Sequence, residues 1–264
     1  VNKNEVVQVL TSSGTSGANL SNIYLDRLNA TNQKRALVNI VKAATGDKRL
    51  PMLIVDAKET VKRGKSFSGR GAGIAGFSVL ATDVTYALNE NMELDRNALD
   101  HFFEKNKGSK VILFGFTYMI WQYFCTPLIE NSQSFQLKDS VLIHGGGWKK
   151  LYDKSVNNKV FSSVVKEVTG IKKVINYYGM VEQTGSIFLE CEAGYFHCSN
   201  FSNVITRNEK FSVCRFGETG ILQLVSPLAT SYPGHNIITE DLGEIIGIDD
   251  CKCGKQGKYF LIHG

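Results

Sequence analysis

A chain of 264 residues, 43% hydrophobic and 21% charged, carries enough apolar surface for one large domain or two packed subdomains, which excludes a disordered chain. A net charge of +5 leans only weakly towards an anionic ligand, and no basic block is interleaved with aromatics, so nucleic acid is not expected as a partner. Six cysteines are too few for a disulfide scaffold, no apolar run reaches the ~18 residues of a membrane span, and no signal peptide is visible, so the expectation is a cytoplasmic protein without a membrane span.

The first apolar run is Val6, Val7, Val9 and Leu10. It reads as a strand that feeds Thr11-Ser12-Ser13-Gly14-Thr15-Ser16-Gly17, seven small residues of which five carry a hydroxyl. Free N–H groups and hydroxyls in such a loop can surround a phosphate. The same composition also describes an ordinary solvated loop. No Gly-Lys-Ser/Thr closes it, so it is not a Walker A loop. The chain begins at Val1 rather than Met and reads as a fragment or a processed product.

A helix is expected over 30–44, capped by Asn29 or Thr31 and stopped at Gly46. Residues 52–55 read as a short buried strand, and 95–105 as a helix with Leu99, Phe102 and Phe103 on one face. A strand follows over 110–114, then a helix over 116–130 broken by Pro127. Residues 140–143 form a strand running into Gly145-Gly146-Gly147. A helix over 154–169 ends at Gly170, and a strand spans 173–177. This alternation predicts an α/β fold with a parallel sheet and crossover helices. After Gly185, short alternating runs at 187–191, 204–206, 220–225, 236–239 and 258–262 predict antiparallel β structure. Turn signals separate them at Pro233-Gly234 and at Asp241-Leu242-Gly243. The expected division is an α/β nucleotide-binding subdomain over 1–185 and a β-rich subdomain over 186–264.

Ligands of an open parallel sheet bind beyond the carboxyl ends of its strands. The opening loop, the triple glycine and Tyr178-Gly179 all fall at such ends and point to one crevice. Gly71-Ala72-Gly73-Ile74-Ala75-Gly76 matches G-x-G-x-x-G, but the polar stretch 62–70 precedes it where a dinucleotide fingerprint needs an apolar strand. A close-packed or mobile glycine loop is expected there. In Tyr177-Tyr178-Gly179-Met180-Val181-Glu182, an aromatic can cover a base and a carboxylate can hold Mg²⁺ beside phosphates. A turn with a solvated Glu is the plain alternative. In Thr239-Glu240-Asp241-Leu242-Gly243, Asp241 can accept hydrogen bonds from ribose hydroxyls, or the acidic pair can be simple turn chemistry.

These motifs, in this order, resemble the adenylate-forming superfamily, an α/β core with a parallel sheet followed by a β-rich subdomain. The nearer likeness is to its phenylacetate–coenzyme A ligase branch. His144-Gly145-Gly146-Gly147-Trp148-Lys149-Lys150, Ser231-Tyr232-Pro233-Gly234-His235 and Cys251-x-Cys253-Gly254 are similar to the acyl-protein synthetases of bacterial luminescence fatty acid reductase complexes. The resemblance implies that Ser12, Ser13, Gly14, Thr15, Ser16 and Gly17 cradle the ATP phosphates. It implies that Gly145, Gly146, Gly147 and Tyr178 frame the adenine, with Gly179 and Met180 near the α-phosphate. Glu182 would be the catalytic Mg²⁺ ligand, and Asp241 the ribose ligand. A fatty acid, ATP and Mg²⁺ would give an acyl-adenylate for transfer to a protein cysteine, with reductase or acyltransferase proteins as partners. Coenzyme A as acceptor and a non-catalytic nucleotide-binding subunit are the alternatives.

The chain departs from the family at Asn22, where a lysine commonly follows the loop, so phosphate neutralisation would fall to Arg27 or another base. The resemblance places a preceding N-terminal region, a hinge residue and a C-terminal tail with the acyl-accepting cysteine outside this chain. Cys191, His197, Cys251 and Cys253 offer the four N/S ligands of a structural Zn²⁺, with Cys198 as a substitute for His197. Ordinary buried cysteines are the alternative. Related phenylacetate–coenzyme A ligase-like proteins carry a similar set, which favours zinc. His144, His235 and His263 are expected in structural or pocket-lining roles, because an ionised carboxylate needs no general base. Trp148 is expected to pack.

Overall fold

The structure is a computed structural model and describes residues 2–12, 21–46, 48–61, 66–148 and 156–263. In chain order the elements are β1 (Gln8–Thr11), β2 (Asn22–Leu25), α1 (Arg27–Thr45), β3 (Leu50–Ala57), β4 (Ser66–Ser68), α2 (Gly69–Phe77), β5 (Ala81–Leu88), α3 (Arg96–Lys105), β6 (Ile112–Phe116) and α4 (Thr117–Ile120). They continue with α5 (Thr126–Glu130), β7 (Val141–Gly145), α6 (Asn158–Thr169), β8 (Lys173–Tyr178), β9 (Phe188–Glu190), β10 (Phe196–His197), β11 (Asn203–Arg207), β12 (Gly220–Val225), β13 (Asn236–Ile248) and β14 (Lys258–Ile262). The chain builds two compact units: residues 1–41, 65–69 and 177–264 form the first, and 42–64 with 70–176 the second. The division expected at 185 follows a change in the sequence pattern, a different criterion from compactness.

The second unit holds the expected α/β core. Its strands run in the order β8-β7-β6-β3-β5, with β6 parallel to β3 and β7, and β3 parallel to β5. Met52, Leu53, Ile54 and Val55 are all at 0% exposure, as a strand covered on both faces requires. Leu53, Leu113, Leu142, Phe102, Phe124 and Phe161 belong to one apolar cluster. Asp95 caps α3 by accepting from the Ala98 N–H at 3.0 Å, and Leu99 and Phe102 are its buried face. Asn157 caps α6 in the same way, and Gly170, at φ 73°, closes it in the left-handed conformation.

The expected break of the 116–130 helix at Pro127 is not there: the backbone stays helical from Thr117 to Glu130. A π turn over Trp121–Cys125 separates α4 from α5, and the Thr126 hydroxyl donates to the Trp121 carbonyl at 2.9 Å. Pro127 follows directly, and the widened π turn accommodates a residue that has no N–H to give. Two sequence expectations are corrected here. The G-x-G-x-x-G stretch is a helix, α2, not a loop, and a short strand, β4, does precede it. β5 has no clear signal in the sequence, because Thr82, Asp83 and Thr85 interrupt its apolar residues.

The first unit is antiparallel apart from one pairing. A small sheet β2-β1-β4 surrounds the start of the Ser/Thr/Gly loop, with β4 parallel to β1. A larger sheet runs β11-β12-β13-β14-β10-β9, and Tyr177 and Tyr178 pair with Leu189 and Phe188 of β9. Its core includes Phe188, Phe260, Leu222 and Leu224. The turn expected at Asp241-Leu242-Gly243 is not there, because all three residues lie inside β13. Ile221 pairs with Leu242 and Gln223 with Ile238, so residues 239–241 bulge out opposite a single β12 residue. The turn-like sequence marks this bulge. Gly243 serves close packing, since a Cβ there would come within 2.3 Å of the Leu261 carbonyl oxygen.

Candidate functional site

In the first unit, β8 and the β13 bulge bring Tyr178 and Asp241 together. The Tyr178 hydroxyl donates to Asp241 Oδ2 at 2.5 Å. Burial, then this bond to a carboxylate, hold the phenol well above its ordinary pKa, so it remains a donor. Its ring lies 6.1 Å from Phe188 and 6.3 Å from Phe196. The Thr239 hydroxyl donates to the Leu222 carbonyl at 3.0 Å and accepts from the Asp241 N–H at 3.1 Å, which fixes the bulge. In the sequence Thr239 stands out only as part of a turn. The Thr-x-Asp spacing, in which a hydroxyl caps the amide two residues on, is the signal for its role.

Gly179 and Met180 follow β8 directly. A Cβ on Gly179 would meet Ile187 Cγ2 at 2.9 Å, so the glycine admits that side chain. Met180 packs against the apolar cluster of this unit. Glu182 lies in a 3-10 turn, Val181–Gln183, between two anchored neighbours. The Gln183 amide is buried and donates to the carbonyls of Leu224 at 3.1 Å and Gly234 at 2.8 Å. Gly185, at φ 87°, lies so close to α1 that a Cβ would strike the Gln33 carbonyl oxygen at 2.4 Å. Glu182 itself is half-buried, and its carboxylate has no hydrogen bond or ion pair to any described residue. Its charge helps raise the pKa values of Tyr178 and Tyr232, after burial, so it lies near both.

Ser12 is half-buried at the neck of the opening loop, where its hydroxyl accepts from the Ser21 N–H at 2.9 Å. Ser13, Gly14, Thr15, Ser16 and Gly17 lie outside the described residues. Asn22 is exposed and its Oδ1 accepts from the Thr11 hydroxyl at 3.2 Å, so it clasps the loop neck where the family carries a base. Arg27 is exposed at the start of α1.

The triple glycine belongs to the second unit. Gly145 is the last residue of β7, and Gly146, at φ 75°, would place a Cβ 2.9 Å from Phe116 Cδ1. Nothing stands within 4 Å of a Cβ on Gly147. His144 is 2% exposed, accepts or donates through Nδ1 to Thr117 Oγ1 at 2.9 Å, and lies 4.5 Å from the Phe161 ring. Burial holds its pKa down at about 3, so it is a neutral packing group, as expected. Trp148 packs edge-on against Trp121 at 5.6 Å. His235 and His263 are exposed in the first unit.

Cys191, His197, Cys251 and Cys253 converge at the far end of the antiparallel sheet. Cys191 follows β9 and His197 ends β10, across a turn that Gly194 closes at φ 83°. Cys251 and Cys253 occupy the turn between β13 and β14, which Gly254 closes at φ 76°. All four ligand atoms lie within 4.8 Å of one another. Cys191 Sγ is 3.9 Å from Cys251 Sγ, and Cys253 Sγ is 3.4 Å from His197 Nε2. Tetrahedral zinc with Zn–S bonds of about 2.3 Å separates its sulfurs by about 3.8 Å. Burial, then Lys255, lower the His197 pKa and keep the imidazole in the neutral form that ligates. Cys198 points elsewhere: it packs against the apolar cluster, its thiol pushed up to about 12 by burial.

The sequence profile of "Acyl-protein synthetase, LuxE" matches residues 1–264. The chain belongs to the LuxE acyl-protein synthetase family. A relative, the long-chain-fatty-acid–luciferin-component ligase of Aliivibrio fischeri, is 25% identical over 162 residues, covering 59% of this chain and 42% of the relative. The chain therefore spans less than two thirds of the length of that protein. Among solved structures, an open conformation of 2-hydroxyisobutyryl-CoA ligase has a TM-score of 0.72 at 18% identity, covering 100% of this chain and 58% of that one. ATP-bound MatB from Rhodopseudomonas palustris has a TM-score of 0.63 at 16% identity, covering 100% and 49%. The amide bond synthetase McbA from Marinactinospora thermotolerans has a TM-score of 0.64 at 14% identity, covering 99% and 49%. These structures share the adenylate-forming fold with this family member. No helix among its described residues is long and apolar enough to cross a membrane.

Proposed function

We propose that the chain is the nucleotide-binding core of a ligase that activates a long-chain fatty acid with ATP and passes the acyl group to a protein cysteine. The observation that carries this reading is the acyl-protein synthetase match along the whole chain. The ribose carboxylate would be Asp241, with Tyr178 held against it as an adenine contact. Ser12 to Gly17 would receive the β- and γ-phosphates, and Gly179 and Met180 would border the α-phosphate. Supporting these roles are the Tyr178–Asp241 bond and the Glu182 carboxylate, which has no partner among the described residues.

In the first half-reaction a fatty carboxylate oxygen forms a bond to the α-phosphorus, and pyrophosphate leaves with the electron pair of the P–O bond that breaks. In the second, a thiolate attacks the acyl carbonyl and AMP leaves. The carboxylate is ionised at neutral pH, so the protein supplies position and charge stabilisation rather than a base. Glu182, a half-buried carboxylate with no partner among the described residues, fits a hard divalent cation. Mg²⁺ bound there would neutralise phosphate charge. ATP–pyrophosphate exchange with a long-chain fatty acid, measured on the full-length protein, tests the reading. Exchange is expected, and Glu182→Gln should lower it by orders of magnitude while leaving the far-ultraviolet circular dichroism unchanged. Absence of exchange in the unsubstituted protein would return the chain to a non-catalytic nucleotide-binding role.

The Cys191, His197, Cys251 and Cys253 set would hold a structural Zn²⁺. Its four N/S donors and their mutual distances suit a closed tetrahedral site. It would join the β9–β10 and β13–β14 turns and has no part in the chemistry. Elemental analysis of protein purified without chelator should give about one zinc per chain.

A further inference from the structure

The Ser231-Tyr232-Pro233-Gly234-His235 stretch has so far no role, and its contacts assign it one. The Tyr232 hydroxyl donates to the main-chain carbonyl of Glu182 at 2.7 Å. It accepts in turn from the Gln33 Nε2 amide at 3.2 Å, so the phenol is held from both sides. Gln33 is 3% exposed and comes from α1. Burial pushes the Tyr232 pKa up to about 12, and the nearby Glu182 charge adds to the rise, so the phenol is a hydrogen-bond donor throughout the neutral range.

The segment carrying Tyr232 is itself fastened. Asn29, at 0% exposure, donates through Nδ2 to the Leu228 carbonyl at 2.5 Å. Its Oδ1 accepts from the Thr230 N–H at 3.2 Å, the Ser231 N–H at 3.1 Å and the Ser231 hydroxyl at 2.8 Å. Gly234 explains the end of the motif. A Cβ there would stand 2.1 Å from Tyr232 Cε2 and 2.5 Å from the Glu182 carbonyl oxygen, so only glycine lets the ring fold back onto the turn. The Gln183 amide closes the arrangement from the other side by donating to the Gly234 carbonyl.

We infer that Tyr232 is a positioning residue that fixes the Glu182 turn, so that the carboxylate presents a divalent cation to the ATP phosphates without reorganising. Gln183 ties the turn from one side and Tyr232 holds the Glu182 carbonyl itself, and a preorganised ligand loses less on binding than one that must be ordered first. The inference rests on the reading of Glu182 as the Mg²⁺ ligand, and the experiment separates the two.

Pyrophosphate exchange by the full-length protein is measured against Mg²⁺ concentration for the unsubstituted protein, Tyr232→Phe and Glu182→Gln, alongside thermal unfolding. Tyr232→Phe should raise the Mg²⁺ concentration for half-maximal exchange about fivefold or more, a loss of about one ordinary hydrogen bond. Exchange at saturating Mg²⁺ should recover most of its rate. An unchanged Mg²⁺ dependence, with or without a lower unfolding temperature, overturns the positioning role. Undiminished exchange by Glu182→Gln overturns the Glu182 reading instead. Should Tyr232→Phe not accumulate as folded protein, Gln33→Leu loosens the same phenol from its other side. The same shift is then expected, and an unchanged Mg²⁺ dependence in that variant also overturns the positioning role.

Discussion

The two compact units are held by different chemistry. In the second, apolar packing dominates: Leu53, Phe102, Phe124, Phe161 and Leu142 are buried in one cluster, and even the buried imidazole of His144 is neutral. In the first, long-range polar ties do much of the fixing: Asn29 to Leu228 and Ser231, Tyr232 to Glu182, and Tyr178 to Asp241, with the Cys/His set as the proposed zinc site. Dispersion and hydrophobic burial are non-directional and tolerate sliding, whereas hydrogen bonds and metal–ligand bonds specify angles. Most of the residues with proposed roles in nucleotide and cation binding lie in the unit built from directional contacts.

Metal removal strains that contrast most. Stripping zinc, or Cys251→Ser, should cost more than about 4 kcal/mol and lower hydrogen-exchange protection in the first unit alone. Protection lost equally in residues 70–176 would show that the units do not differ in this way. Phe124→Ala is the complementary cut. Removing a ring with 0% exposure should cost about 3–4 kcal/mol in urea unfolding, with zinc content unchanged. Loss of zinc in that variant would break the comparison from the other side.

The most gradual effect concerns pH. Unfolded, His144 titrates near 6.5; folded, at about 3, because burial opposes its charge. The unfolded state therefore binds the proton first as pH falls. Stability from this group is intact above 6.5 and declines towards pH 3 by about 1.4 kcal/mol per pH unit. His144→Gln should flatten the slope of urea stability against pH over that window. An unaltered slope would mean that other groups carry the acid sensitivity.

Much of the second unit is legible in the sequence because its signals are local. Asp95 announces a helix start, Gly170 a helix end, and 52–55 a buried strand, each within a few residues of its cause, whereas α6 starts at Asn158, later than the expected 154. β5 escapes because its apolar residues alternate with Thr and Asp on a partly exposed strand. The bulge at 239–241 looks like a turn because both use the same residue types, and only the pairing of Leu242 with Ile221 separates them. At the site, residue types suggest a base cover, a ribose carboxylate and a cation ligand. They do not reveal that Tyr178 bonds Asp241 across 63 residues, or Tyr232 Glu182 across 50. Contacts of that sequence separation leave no periodic trace.

Asn29 sets an order on the birth of the molecule. Its partners at Thr230 and Ser231 lie 201 and 202 residues further along, so none of these bonds can close until Ser231 has left the ribosome. The second unit is drawn entirely from the intervening stretch, 42–64 and 70–176. All its residues precede 177–264 in synthesis, and its contacts span shorter loops with a smaller closure entropy. Until translation passes Ser231, α1 has to wait without these partners. The Glu182 brace likewise has to wait until Tyr232 has been made, 50 residues after the glutamate that it holds.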